Sequence, residues 1–143
     1  MKKCIVIACM LVAVTGYAQK KSGKELAIPA QAKAAFQKTY PTAANVKWEK
    51  EGADYEVNFK DGMKEMSAVY DHAGKLKETE EAIPLSDLPA NATAYIKQHH
   101  PKVVIKDAAK ITKANGEINY EAGTGKMDLI FDKSGKYLRS MKD

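Results

Sequence analysis

Two periodicities alternate along the chain. Ala32, Ala35 and Phe36 make an i, i+3, i+4 apolar stripe, and Ala92, Tyr95 and Ile96 echo it, so each segment predicts an amphipathic helix. Pro29 and Pro89 stand where proline suits a first helical turn. Pro41 and Pro101 end the helices, because the residue before a proline is pushed out of the helical region. The expected helices therefore run from Ala30 to Thr39 and from Ala90 to His99. After each one the period falls to two. Val46 and Trp48, then Tyr55, Val57 and Phe59, then Met66, Ala68 and Tyr70 alternate with polar neighbours. In the second half, Val103 and Ile105 are expected to begin the sheet. Ile111, then Ile118 and Tyr120, then Met127, Leu129 and Phe131 continue it. Such alternation gives a sheet one apolar face and one wet face.

The same order occurs twice. Ile28-Pro29-Ala30 matches Leu88-Pro89-Ala90, Tyr40-Pro41 matches His100-Pro101, and Tyr55-Glu56 matches Tyr120-Glu121. The closest match sets Tyr70-Asp71-His72-Ala73-Gly74-Lys75 against Phe131-Asp132-Lys133-Ser134-Gly135-Lys136. Ordered self-similarity of this kind marks a structural repeat. Asp71 to Gly74 and Asp132 to Gly135 read as hairpin turns: the aspartate bonds its own backbone two residues on, and the glycine supplies a positive φ. Each turn leads to a final short strand, at Leu76 and at Tyr137-Leu138. The expected fold is α+β: two tandem helix-plus-antiparallel-meander repeats sharing one curved sheet, with the helices on one face. Trp48 is expected to be largely buried against Phe36.

The chain's start changes the picture of where it works. Lys2 and Lys3 precede an apolar run from Cys4 to Val14, and Gly16-Tyr17-Ala18 offers the small residues a signal peptidase inspects. The run is too short to span a membrane. Residues 1–18 are thus expected to be a signal peptide cut after Ala18, and 19–27 a flexible leader. Residues 28–143 form one domain, made of repeat one (28–81) and repeat two (85–143). Export places the protein in the periplasm or outside the cell. The two cysteines, Cys4 and Cys9, lie in the segment to be removed, so the mature chain has no disulfide and must be held by packing. Cleavage also removes Lys2 and Lys3, lowering the formal charge from +5 to 5 − 2 = +3. The remaining lysines are scattered among acidic residues and Arg139 is the single arginine, which argues against a nucleic-acid surface.

Each half resembles the PepSY-like repeat of exported Bacteroidetes proteins, a group likened to the β-lactamase-inhibitor protein. The resemblance is carried by the Ile-Pro or Leu-Pro helix start and the helix-ending Tyr-Pro (His-Pro in the second half). The Trp48 strand, the Tyr55-Glu56-Val57 strand and the aromatic-Asp-x-x-Gly-Lys turn complete the set, over about residues 28 to 138. It implies tandem repeats on one curved sheet backed by helices, a periplasmic or outer-surface location, and little about activity. Repeat two departs from the pattern: Ile111 stands where repeat one has Trp48, and Gly123-Thr124-Gly125 replaces the apolar end of the Tyr55 strand.

No catalytic constellation emerges, and no cofactor or metal site is expected. His99 and His100 end a helix, where histidine suits the negative end of the dipole, and His72 occupies a turn. Glu78-Thr79-Glu80-Glu81, flanked by Lys75 and Lys77, reads as a solvated strand end leading into a linker, Ala82 to Asp87. The serines lack a nucleophile setting. The wet sheet face draws more interest. It should carry Lys47, Glu49, Glu56, Asn58, Glu65 and Ser67, with Asn119, Glu121 and Asp128 from repeat two, interrupted by the apolar Val69 and Ile130. The expectation is an exported, non-catalytic binding or inhibitory module whose open face contacts a protein or peptide of the cell envelope. Two alternatives compete with it: a hydrolase-type enzyme built from scattered residues, and an envelope structural or stress protein.

Overall fold

The computed structural model of the protein describes residues 27–142. The expected signal peptide, its cleavage point and most of the leader lie outside the described residues. In chain order the elements are α1 (Ala30–Thr39), β1 (Ala44–Glu51), β2 (Asp54–Asp61), β3 (Lys64–Tyr70), β4 (Leu76–Ala82), α2 (Ala90–His99), β5 (Asp107–Lys113), β6 (Ile118–Gly123), β7 (Met127–Asp132) and β8 (Tyr137–Lys142). A single 3-10 turn, Leu85–Asp87, precedes α2. The strands form one sheet of eight in sequence order, antiparallel throughout, and the β4–β5 ladder joins the repeats.

Both helices keep the limits that their prolines dictate. The chain leaves each one as the N–H of Tyr40 or His100 donates to the carbonyl of Phe36 or Ile96. Ala32 and Phe36 pack with Val57, Phe59, Ala68 and Tyr70 in one buried cluster; Ala92 and Ile96 pack with Leu88, Ala108, Ala122, Leu129 and Phe131 in another. Strand register carries the first cluster's face from Ala68 through Thr79 and Thr112 to Ile118, on the strand that holds Ala122. Both helices therefore cover the same side of the sheet. Aromatic rings lock each half: Phe36 meets Phe59 edge-on at 4.9 Å, and Tyr95 stacks on Tyr137 at 4.7 Å.

The two aspartate turns form as their residues require. Asp71 Oδ1 accepts the N–H groups of Ala73 and Lys75, both at 2.9 Å, and Asp132 Oδ1 accepts those of Ser134 at 2.8 Å and Lys136 at 3.0 Å. Gly74 and Gly135 sit at φ 80° and 84°. Each turn also abuts the first turn of its helix. A Cβ on Gly74 would lie 2.6 Å from the Gln31 carbonyl oxygen, and one on Gly135 2.8 Å from the Ala92 nitrogen. Asn91 Nδ2 donates to the Ser134 carbonyl at 2.9 Å, tying turn to helix in the second half.

Several expectations need correction. Val103 and Ile105 do not begin the sheet: after Pro101 the chain turns, with the Val103 N–H on the His100 carbonyl, and Val104 is 74% exposed. The first strand of repeat two is β5, and Ile105 packs on the core from irregular chain. Ile111 is not the counterpart of Trp48. Trp48 pairs with Val57, whose equivalent Ala122 pairs with Ala108, so Ala108 takes that place, while Ile111 pairs with Glu80 and Asn119 on the opposite face. Trp48 meets Phe36 edge-on at 5.6 Å but is only half-buried, because β1 is an edge strand. A register shift between Ala44 and Lys47, with Asn45 at φ 55°, leaves Val46 exposed. The largest correction concerns β4. Glu78 to Glu81 is not a solvated strand end; it is the middle of a seven-residue strand bonded on both sides, and the linker starts only after it.

Candidate functional site: the open face of the sheet

Residues paired directly across a ladder share a face. On the side away from the helices, one row runs Glu49, Glu56, Val69, Glu78; the next runs Asn58, Ser67, Glu80, Ile111, Asn119. A third runs Ala82, Ala109, Glu121, Ile130, Arg139, and a fourth links Asp107, Gly123 and Asp128. Lys47 pairs with Asn58, and Lys60 pairs with Glu65 at the end of β2. The structure thus gathers Glu56, Asn58, Glu65, Ser67, Val69, Asn119, Glu121, Asp128 and Ile130 on one face. It adds residues that the alternation of polar and apolar positions missed: Glu78, Glu80 and Ala82 from β4, and Asp107, Ala109 and Ile111 from β5.

Carboxylates dominate the centre of this face, and many are shut away from water. Glu56, Glu121 and Asp128 are buried, Asp128 to 1% exposure. Burial, the largest influence, pushes the Glu56 carboxyl up to about 7; a hydrogen bond from Ser67 opposes that, and Glu51, Glu49 and Glu78 add to it. Glu80 is raised as well, again first by burial and then by the negative charges of Glu56, Glu78, Asp128 and Glu51. Glu80 itself is half-buried. The paired lysines stand at the margins: Lys47 on Glu49 at 2.6 Å, Lys60 on Glu65 at 3.1 Å and Lys113 on Glu117 at 2.7 Å.

Val69 and Ile130 do lie on the open face, between carboxylates of neighbouring strands. Neither stands proud of it: Val69 is 8% exposed and Ile130 0%. They form the floor of the face rather than projections from it.

A recess of about 130 Å³ opens where the repeats meet, lined by Asn58, Glu65, Ser67, Glu80, Asp107 and Glu121 over Ala82, Ala108 and Ala109. Its origin lies in β5. By register, Ala109 holds the place that Glu49 fills in repeat one, so a small side chain stands beside β4 on this face, while Ala108 takes the place of Trp48 on the helix side. Gly123 helps, since a Cβ there would collide with the Asp107 carboxylate across the ladder.

The histidines stay away from this face. His72 is exposed in its turn, and His99 stacks on Tyr95 at 4.3 Å at the end of α2. Among the described residues no group of His, Cys, Asp and Glu is arranged to hold a metal ion, and no helix is long and apolar enough to cross a membrane.

Comparison with known proteins agrees with this architecture. A family model described as "Putative beta-lactamase-inhibitor-like, PepSY-like" matches twice, over residues 18–78 and 54–139. No curated protein matches the chain. Among solved structures, a "BLIP-like protein" from Bacteroides fragilis is similar at 24% identity and TM-score 0.62, covering 83% of this chain and 89% of that one. A "putative periplasmic" protein from Bacteroides eggerthii shares 18% identity at TM-score 0.67, covering 81% and 89%. A DUF2874 family protein from Bacteroides uniformis shares 16% at TM-score 0.65, covering 80% and 88%. At these identities the likeness is one of fold.

Proposed function

The chain belongs to the PepSY-like, beta-lactamase-inhibitor-like family, and from that premise we propose that it is an exported, non-catalytic module that binds a protein or peptide partner on its open sheet face. The observation that carries this reading is the two-sided character of the sheet. Both helices cover one side, and among the described residues no helix covers the other side. A face that wide can supply the roughly 800 Å² per partner that a specific interface needs. The name of the Bacteroides fragilis relative supports an inhibitor-like mode of action. The compartment of this reading is the periplasm or the cell exterior, in keeping with the basic, apolar and small-residue start of the chain and with the description of the Bacteroides eggerthii relative.

A photo-crosslinking side chain placed at Asn58, on the open face, tests this in the native cell envelope, with Lys97 on the outside of α2 as control. The expected outcome is a discrete adduct from position 58 and none from position 97. Adducts from position 97 alone, or from neither position, would overturn the reading.

A further inference from the structure

We infer that the outer edge of β1 takes up an extended segment of a partner protein as an added antiparallel strand, which seats one aliphatic side chain between β1 and α1. This contact lies apart from the open sheet face and does not depend on it. Three observations converge, and the first is the edge itself. Among the described residues β1 is bonded on one side only, to β2. An edge strand presents unpaired N–H and C=O groups to an incoming strand. The register shift blunts only the start of β1; from Lys47 to Glu51 its pairing with β2 is regular.

The second is the chain's own repeat, which shows what such an edge accepts. β5 is the counterpart of β1, with Ala108, Ala109 and Lys110 at the places of Trp48, Glu49 and Lys50. In repeat two that edge is filled. β4 lies antiparallel to it, with Ala82 opposite Ala109 and Glu81 opposite Lys110. One residue further, the Ile83 N–H donates to the Ala108 carbonyl at 2.9 Å, and the Ile83 side chain packs on the cluster beneath α2.

The third is a groove beside β1. Phe36, Tyr40, Val46 and Trp48, with Lys33 and Gln37, line a hollow of about 260 Å³ between α1 and the edge. That is smaller than the roughly 300–1,000 Å³ of a small-molecule site, and it suits a side chain. Val46 is exposed and Trp48 half-buried, whereas Ala108, which has β4 and Ile83 beside it, is buried. Lys50 keeps the charge of Lys110. The segment should therefore carry an acidic residue opposite Lys50 and an aliphatic one two positions later, the spacing of Glu81 and Ile83. Strand addition of this kind takes its affinity from main-chain hydrogen bonds and its specificity from pockets for alternate side chains.

The test uses the mature protein and a capped peptide copying residues 77–84, with Glu78→Thr and Glu80→Thr to remove the carboxylates that would face Glu49 and Glu51. In NMR titrations the peptide should shift the amides of Gln37, Lys47, Trp48 and Lys50 and leave Leu138 to Met141, on the opposite edge, in place. Methylating the Ile83 nitrogen of the peptide, or changing Ile83→Asp in it, should weaken binding about tenfold, the worth of one hydrogen bond or one buried side chain. Lys50→Glu in the protein should weaken binding about threefold, as for an exposed ion pair, and a Glu81→Lys peptide should recover it. Lys50 is exposed, so this variant should fold, and the peptide series needs no variant. Shifts confined to β8 or to the open face, no shifts at all, or equal binding by the N-methylated peptide would each overturn the inference. So would self-association of the chain through β1, since a second copy would then hold the edge. Crosslinking at Asn58 reads the other surface: adducts there without peptide binding here would leave the open-face reading standing and this one overturned, and the reverse result would do the opposite.

Discussion

At the residue scale, the unusual feature is acid buried beside acid. Glu56 titrates near 7 and Glu80 is raised as well, whereas an unfolded glutamate titrates near 4.3. The folded chain therefore holds protons that the unfolded chain has lost over the window from about 4.5 to 7. Stability must fall as pH rises through that window. The expected outcome is a Tm several degrees higher at pH 5 than at pH 8, read by circular dichroism at fixed ionic strength. Glu80→Gln should raise Tm at pH 8 and change it little at pH 5, where the wild-type carboxyl already carries its proton. No gain at pH 8 would mean that the carboxyl is well solvated. The turn glycines offer a second check. Gly74 combines a positive φ with backbone of α1 in its path, whereas Gly116 has a positive φ and open space around it. Gly74→Ala should cost about 2–3 kcal/mol in urea unfolding and Gly116→Ala about 1 kcal/mol, the left-handed conformation alone being worth about 1–2. Trp48→Ala should cost about 2 kcal/mol, below the 3–5 of a fully buried aromatic, because one side of the ring is wet.

At the element scale, β4 and β5 decide what the face is. β4 carries Glu78 and Glu80 on one side and Lys77, Thr79 and Glu81 between them, so no apolar stripe announces a central strand. It is a strand because β3 and β5 bond to it from both sides. β5 in turn substitutes two alanines for the tryptophan and glutamate of β1. Ala109→Glu would restore the repeat-one residue opposite Glu121 and in line with Ala82. Like charges directly opposed on a ladder destabilise it, so this variant should melt several degrees lower at pH 8, with a smaller loss at pH 5. A loss independent of pH would point to crowding instead of charge.

At the scale of the whole molecule, two separate buried clusters hang on one sheet, and the β4–β5 ladder is their connection. Repeat one cut after Ala82 would keep its own cluster but expose β4 as an open edge. A segment of that size is marginal alone, and an unpaired edge invites association. Residues 27–82 should therefore be unfolded or self-associated by size-exclusion chromatography and circular dichroism. A stable folded monomer would mean that the repeats are independent domains.

The repeat, both helices with their ends, the two aspartate turns and the side of the sheet holding Glu56, Glu121 and Asp128 were all legible in the chain. They rest on local rules: proline's restricted φ, the reach of an aspartate side chain to nearby N–H groups, and the period of two that a pleated strand imposes. The position of β4 was not legible, because a strand polar on both sides looks like a solvated one until its neighbours are known. The same holds for Ala108 and Ala109, whose equivalence to Trp48 and Glu49 is defined by hydrogen-bonded register and not by spacing in the chain. Only the tertiary structure set Glu80 beside Glu56 and Asp128, since charges scattered along a sequence acquire their energies from the strands that bring them together and the water that leaves.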